Sequence, residues 1–292
     1  MLDVTDRRPT LRRAVAEARV RVRAEAIAAI HEQRVPKGDV AEVTRGVALL
    51  GLKQTSDLLP FSHRIPLEHA RVEVTTEERE VRIRVEVAAI ARTGVEVEAM
   101  TGATIAALNV YDMIKPLDPG AEVAGARVIS KSGGRSDFRT ESERPARAGV
   151  LVVSDAIAAG TKHDRAGRAV ENGLEAEGVE LAERETVPDE PEAIREIVSR
   201  WTDETELDLV LVVGGTGLGP RDRTPEALHG LLGRELPGVA EALRAHGRER
   251  TPYADLSRAV AGQRGRSLVV ALPGSTRGAR ESMEALLPWV LH

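Results

Sequence analysis

The sequence predicts an α/β protein built in two styles: an α+β half with an antiparallel sheet, then a three-layer α/β half with a mostly parallel sheet. Three observations carry this. Up to about residue 130, apolar positions in the strand-like segments alternate with polar ones, the pattern of strands wet on one face. From residue 149 onward the strand-like runs are short and unbroken, as in strands covered on both faces. Between them lies RTESERPAR (139–147), a polar stretch broken by Pro145 that reads as an exposed linker. The expected division is 1–140, a linker at 141–147, and 148–292.

In the first half, Ala18, Val20 and Val22 alternate within Ala16 to Val22, a half-buried strand whose wet face carries Arg19, Arg21 and Arg23. Arg23 to Gln33 reads as a helix. Val35 to Asp39 is a turn, with Asp39 placed to cap a second helix that shows Val40, Val43, Val47 and Leu50 on one face. Arg71 to Thr75 and Val81 to Val87 form a hairpin around Thr76 to Glu80. Val95 to Lys115 is a long Ala-rich helix closed by Pro116, since the residue before proline avoids helical backbone. Ala126 to Ser130 is the last strand, and the whole order is that of a ferredoxin-like domain.

In the second half, strands at Gly149 to Val153, Leu207 to Val213 and Leu268 to Leu272 are separated by helices at Ala166 to Glu177, Glu192 to Trp201 and Pro225 to Leu232. Ligands of such sheets bind outside the carboxyl ends of the strands. Those ends are Ser154-Asp155, Gly214 to Gly217 and Pro273 to Ser275, which points to a phosphate-bearing ligand. The loop GGTGLGPRD (214–222) lets backbone N–H groups approach an anion. It is neither a Walker A loop nor a dinucleotide fingerprint. A tight strand-to-helix turn is the plainer alternative. Asp189 and Asp222 are placed either to hold a divalent cation on a nucleotide's phosphates or to cap the helices that follow them.

Composition excludes several classes. With 42% hydrophobic and 30% charged residues the chain is ordinary globular material. No apolar run reaches the roughly 18 residues of a membrane span, and Met1 to Arg13 lacks a leader's apolar core. There is no cysteine, hence no disulfide, thiolate metal site or thiol nucleophile, in keeping with a cytoplasmic protein. Lys and Arg number 23 against 22 Asp and Glu up to residue 146, and 18 against 24 after it. Neither half has the basic excess of a nucleic-acid binder, so neither nucleic acid nor membrane is an expected partner.

The second half carries VSD (153–155), VPDE (187–190), VVGGTGLGPRDRTPEA (212–227), ELPGVAEALR (235–244) and ALPGSTRGARE (271–281). In these it resembles the molybdopterin adenylyltransferase (MogA/MoaB) family from about residue 148 to the end. The resemblance implies binding of molybdopterin and Mg-ATP, with transfer of AMP to the pterin phosphate. Asp189 and Asp222 would serve the metal and nucleotide, Asp222 also as a catalytic residue. Asp155, Gly214, Gly215, Thr216, Gly217 and Ser275 would hold the pterin or phosphates. A molybdopterin-binding scaffold without turnover is the alternative.

The first half carries LDVT (2–5), KGDV (37–40), DLLPFSH (57–63), TGVEVEAMTGA (93–103), YDMIK (111–115) and KSGGRSDF (131–138). In these it resembles the cyclic pyranopterin monophosphate synthase (MoaC) family. That implies conversion of a cyclised GTP derivative, 3',8-cyclo-7,8-dihydro-GTP, to cyclic pyranopterin monophosphate with release of pyrophosphate. Such chemistry needs cations for a triphosphate and groups that move protons. The expected catalytic set is Lys37, His63, Asp112, Lys115 and Lys131, with Phe61, Ser62, His63, Val97 and Glu98 binding substrate. Ser62 stands where the family usually has cysteine. Asp112 and Lys115, three apart on a helix, share a face. A lysine beside a carboxylate keeps its proton, and one among lysines in a dry pocket loses it, so Lys115 and Lys131 both stay candidates for the acid/base. His69, His163, His229 and His246 lack a motif and read as structural or surface residues. No tightly bound organic cofactor is expected. Both families carry a threefold axis, so a homohexamer is the expected assembly.

Overall fold

The computed structural model describes residues 1–139 and 144–292. The chain divides into two compact units, Met1–Phe138 and Arg139–His292. Residues 141–143 of the expected linker lie outside the described residues. The rest of that segment is engaged in the second unit: Arg144 pairs with Asp208 at 2.7 Å, and a strand already begins at Arg147.

The first unit runs β1 (Thr10–Arg21), α1 (Ala24–His31), α2 (Val40–Lys53), the one-turn α3 (Thr55–Leu58), β2 (His69–Glu77), β3 (Glu80–Ala91), α4 (Glu96–Ile114) and β4 (Glu122–Ser132). Its sheet has the order β2-β3-β1-β4 with every pair antiparallel, the ferredoxin-like arrangement. Alternation decides which face is dry. Ala14, Ala16, Ala18 and Val20 of β1 and Val81, Ile83, Val85 and Val87 of β3 are buried, and α4 adds Ala99, Ala103, Ala106, Ala107 and Val110 to the same core. Asp39 caps α2 as expected, accepting the Glu42 N–H at 2.9 Å.

One expectation fails on α2. Of the face Val40, Val43, Val47 and Leu50, only Val40 is buried; Val43 and Leu50 are exposed, and Thr44, Ala48, Gly51 and Leu52 point inward. The reason is the closeness of α4. A methyl group added at Gly102 would lie 3.1 Å from the Ala48 carbonyl oxygen and 3.1 Å from Leu52 Cβ. Helices this close admit the small Thr44, Ala48 and Gly51 at their crossing, with Leu52 fitted against the bare backbone of Gly102.

The second unit runs β5 (Arg147–Val153), α5 (Asp155–Ala158), α6 (Ala166–Ala176), β6 (Glu180–Val187), α7 (Pro191–Asp203), β7 (Leu209–Val213), α8 (Thr224–His229), β8 (Arg234–Glu235), α9 (Pro237–Arg248), β9 (Ala261–Arg264), β10 (Ser267–Leu272) and α10 (Thr276–Leu286). The sheet order is β6-β5-β7-β10-β9-β8. The first four strands are parallel, and β9 and β8 add an antiparallel edge. Two separate apolar clusters form on this sheet. One joins α6, α9 and α10 to it, the other α7 and α8, which makes three layers. The chain leaves β5 for β6 on one side and returns to β7 on the other. The carboxyl ends of β5 and β7 therefore form the switch point at which open parallel sheets bind ligands. Among the described residues, no helix is long and apolar enough to cross a membrane.

His246, expected to be structural or on the surface, is buried on α9. Its Nε2 lies 3.4 Å from Glu284 on α10, and its Nδ1 has no hydrogen-bond partner. Burial, and then the charge of Arg250, hold its pKa below the ordinary 6.5, against the pull of Glu284 and Glu249. An unfolded chain therefore takes this proton first. The stability that neutral His246 contributes is complete above pH 6.5 and is lost as pH falls below it. Thermal unfolding at pH 7 and pH 5.5 should show a fall in midpoint for the wild type and a smaller fall for His246→Gln.

Candidate active sites

The first unit gathers Lys37, Asp112 and Lys115 into one cluster. Lys37 enters from the turn before α2, and the other two lie at the carboxyl end of α4. Lys115 Nζ is 2.8 Å from Asp112 Oδ1, and Lys37 Nζ donates both to Asp112 Oδ2 and, at 3.0 Å, to the Asp112 carbonyl. Hydrogen bonds from Lys115 and then Lys37 lower the Asp112 carboxyl to about 2, and the same contact raises Lys115. Of the two situations considered for Lys115, the structure shows the charge-keeping one.

A second cluster forms at the amino end of α4. Glu98 is buried, with Oε2 lacking any hydrogen-bond partner. Burial, with repulsion from Glu96, raises its pKa, while the nearby Ser62 hydroxyl acts in the opposite direction. Ser62 thus stands beside a buried carboxyl, in a place where a thiol would be a weaker partner. His63 follows it in the chain and is partly buried. Lys131 on β4 reaches Glu96 at 3.5 Å. Glu96 is not among the expected site residues; only its place in the VEVE run marks it. Phe61 and Val97 are exposed apolar side chains at this end. Glu98 and Asp112 stand fourteen positions apart on this helix, a rise of about 21 Å at the usual pitch. One copy of the chain therefore does not bring its expected set into a single site.

In the second unit β5, β7 and β10 are adjacent and parallel, so the three expected strand ends do share one edge. Gly214 and Gly215 take positive φ values of 118° and 63°. A Cβ on Gly214 would collide with the Val153 carbonyl oxygen. Glycine is required there because β5 and the loop touch backbone to backbone. Thr216 is buried, and Thr224 Oγ1 donates to the Gly214 carbonyl at 2.8 Å. Ser275 caps α10, accepting the Gly278 N–H at 3.1 Å.

Neither Asp189 nor Asp222 caps the helix that follows it. Asp189 accepts the Asp155 N–H at 2.9 Å, and Asp155 accepts the Asp189 N–H at 3.0 Å, a reciprocal clasp between the ends of β5 and β6. Asp222 accepts the Gly219 N–H at 2.8 Å, folding the glycine loop over itself. Burial raises the Asp189 carboxyl, and the charges of Asp155 and Asp222 raise it further. Arg221, absent from the expected set, grips Asp155 at 2.9 and 3.0 Å and Glu190 at 2.8 Å. Its grip is the first cause of the lowered Asp155 pKa. Among the described residues no three His, Cys, Asp or Glu side chains are grouped to hold a metal alone. The oxygen donors of Asp189 and Asp222 suit a hard divalent cation that takes its other ligands from a phosphate chain.

Residues 1–134 match the model of the MoaC family, and residues 149–292 match the one described as "Probable molybdopterin binding domain". A molybdenum cofactor biosynthesis bifunctional protein of Chlorobaculum tepidum is 37% identical over 292 residues, which cover 100% of this chain and 92% of the relative. A cyclic pyranopterin monophosphate synthase of Deinococcus radiodurans is 45% identical over 145 residues, covering 50% of this chain and 86% of the relative. The solved structure of the molybdopterin biosynthesis enzyme MoaB of Thermus thermophilus is 52% identical, covers 49% of this chain and 90% of its own, and has a TM-score of 0.47. Family models and relatives define a two-domain protein of molybdenum cofactor biosynthesis, with a MoaC-family domain in the first unit and a probable molybdopterin-binding domain in the second. The chain belongs to the family of molybdenum cofactor biosynthesis bifunctional proteins.

Proposed function

We propose that the first unit converts the cyclised GTP derivative to cyclic pyranopterin monophosphate with release of pyrophosphate, and that the second binds molybdopterin and transfers AMP to it from Mg-ATP. The observation that carries the first activity is the Lys37–Asp112–Lys115 cluster. Two ammonium groups are set side by side on one carboxylate, a charged cradle for the leaving pyrophosphate. Glu98, held toward its neutral form by burial, has the character of a proton carrier. Since the two clusters lie at opposite ends of α4, the complete site takes Lys37, Asp112 and Lys115 from one copy and His63, Glu98 and Lys131 from another. A homohexamer with threefold symmetry meets that need.

The second activity rests on the glycine loop and the carboxylates at the ends of β5, β6 and β7. The loop's N–H groups receive phosphate oxygens, and Asp189 and Asp222 hold the cation that accompanies ATP. The test is direct. Purified full-length protein with the cyclised GTP derivative should release pyrophosphate and form the pyranopterin; with molybdopterin and Mg-ATP it should yield adenylylated molybdopterin. Absence of pyrophosphate release would overturn the first assignment. Molybdopterin bound without AMP transfer would reduce the second unit to a scaffold.

A further inference from the structure

We propose that Arg258 is a positioning residue for the second site, setting the peptide orientation of the glycine loop that receives the ligand. This rests on the reading of that loop given above. Arg258 lies in the segment between α9 and β9, remote in sequence from the loop. Its backbone N–H donates to the Thr216 carbonyl at 2.9 Å, and its Nε donates to the Gly217 carbonyl at 2.9 Å. Its two Nη groups reach the Asp222 carbonyl and the Glu226 carboxylate. One residue thus holds four points between the end of β7 and the first turn of α8.

The consequence follows from peptide planarity. In a trans peptide the carbonyl of one residue and the N–H of the next point in opposite directions. With the Thr216 and Gly217 carbonyls turned toward Arg258, the N–H groups of Gly217 and Leu218 are turned away from it. Neither of those N–H groups has a protein acceptor among the described residues. They are the donors that an anionic ligand would meet. Glycine residues leave this segment free to adopt other orientations; Asp222 fixes the Gly219 N–H from within the loop, and Arg258 holds the Thr216 and Gly217 carbonyls from outside it. A planar guanidinium with forked donors suits several carbonyls and a carboxylate at once; an ammonium does not.

The experiment compares wild type, Arg258→Met and Arg258→Lys, all full length, by two measurements. The first is amide hydrogen exchange across 214–222 without ligand. The second is molybdopterin affinity together with KM and kcat for AMP transfer. Arg258→Met should exchange faster in this segment alone, keep its unfolding midpoint within a few degrees, and bind molybdopterin roughly 10- to 100-fold more weakly, the range for losing a charged hydrogen bond. Arg258→Lys should fall between the two. Unchanged exchange in Arg258→Met overturns the proposal, and so does faster exchange with unchanged affinity, which would make the residue only structural. If Arg258→Met does not fold, Glu226→Gln, which releases one anchor, carries the same comparison. A wild type that fails to bind molybdopterin refutes the functional reading, and the exchange measurement still decides whether Arg258 holds the loop.

Discussion

Replacing Asp112 with asparagine should lower pyranopterin formation by roughly two to four orders of magnitude while leaving the fold intact. The side chain is half exposed and is not part of the core, so the loss is one of charge. Both oxygens of Asp112 are occupied, one by Lys115 and the other by Lys37. An amide keeps the shape but offers one acceptor in place of two and no charge, so the two ammonium groups would face each other unneutralised. The pH profile separates this account from simple misfolding. In the wild type the Asp112 carboxyl lies at about 2, below its ordinary 3.8. Its ionised pairing is complete above 3.8 and is lost only as pH falls toward 2, so any acidic limb between pH 5 and 8 belongs to another group. Lys115 is held above its ordinary value chiefly by Asp112. In Asp112→Asn the basic limb of kcat/KM for pyrophosphate release should therefore move to lower pH. A variant with wild-type turnover, or one whose basic limb stays in place, would remove Asp112 from the mechanism.

What can be read from the sequence, and what cannot, divides along physical lines. Strands whose apolar residues alternate or run unbroken are visible because burial dictates them; β1, β3, β5, β7 and β10 are of this kind. Edge strand β6, ELAERETV, gives no such signal, since only its final valine is fully buried. The face of α2 misleads because a close helix contact buries the small Thr44, Ala48 and Gly51, where an apolar pattern points to the larger Val43 and Leu50. The motifs locate the site residues in sequence but not their grouping. That Lys37 joins Asp112 across 75 positions, while Lys131 joins Glu96 at the other end of α4, depends on tertiary structure. Arg258 gives no signal, for a residue that acts by holding carbonyls leaves no pattern around itself.

Asp222→Ala should lower AMP transfer to molybdopterin on the order of 10²- to 10³-fold, the usual cost of removing one group that stabilises charge in a transition state. The alanine variant alone is ambiguous, because Asp222 also accepts the Gly219 N–H and so shapes the loop. Asp222→Asn resolves it. The amide oxygen still accepts that N–H, but the negative charge toward a cation is gone. If Asp222 serves the metal and nucleotide, the asparagine variant should be as inactive as the alanine one while molybdopterin affinity stays near wild type. If Asp222 only shapes the loop, asparagine should restore activity and alanine should weaken pterin binding. Asp189→Asn provides the parallel case, since its oxygen keeps the Asp155 N–H. Titrating Mg2+ at fixed ATP would complete the comparison. Both asparagine variants should need more Mg2+ for half-maximal rate, and an unchanged Mg2+ requirement would place the cation elsewhere than between these two carboxylates.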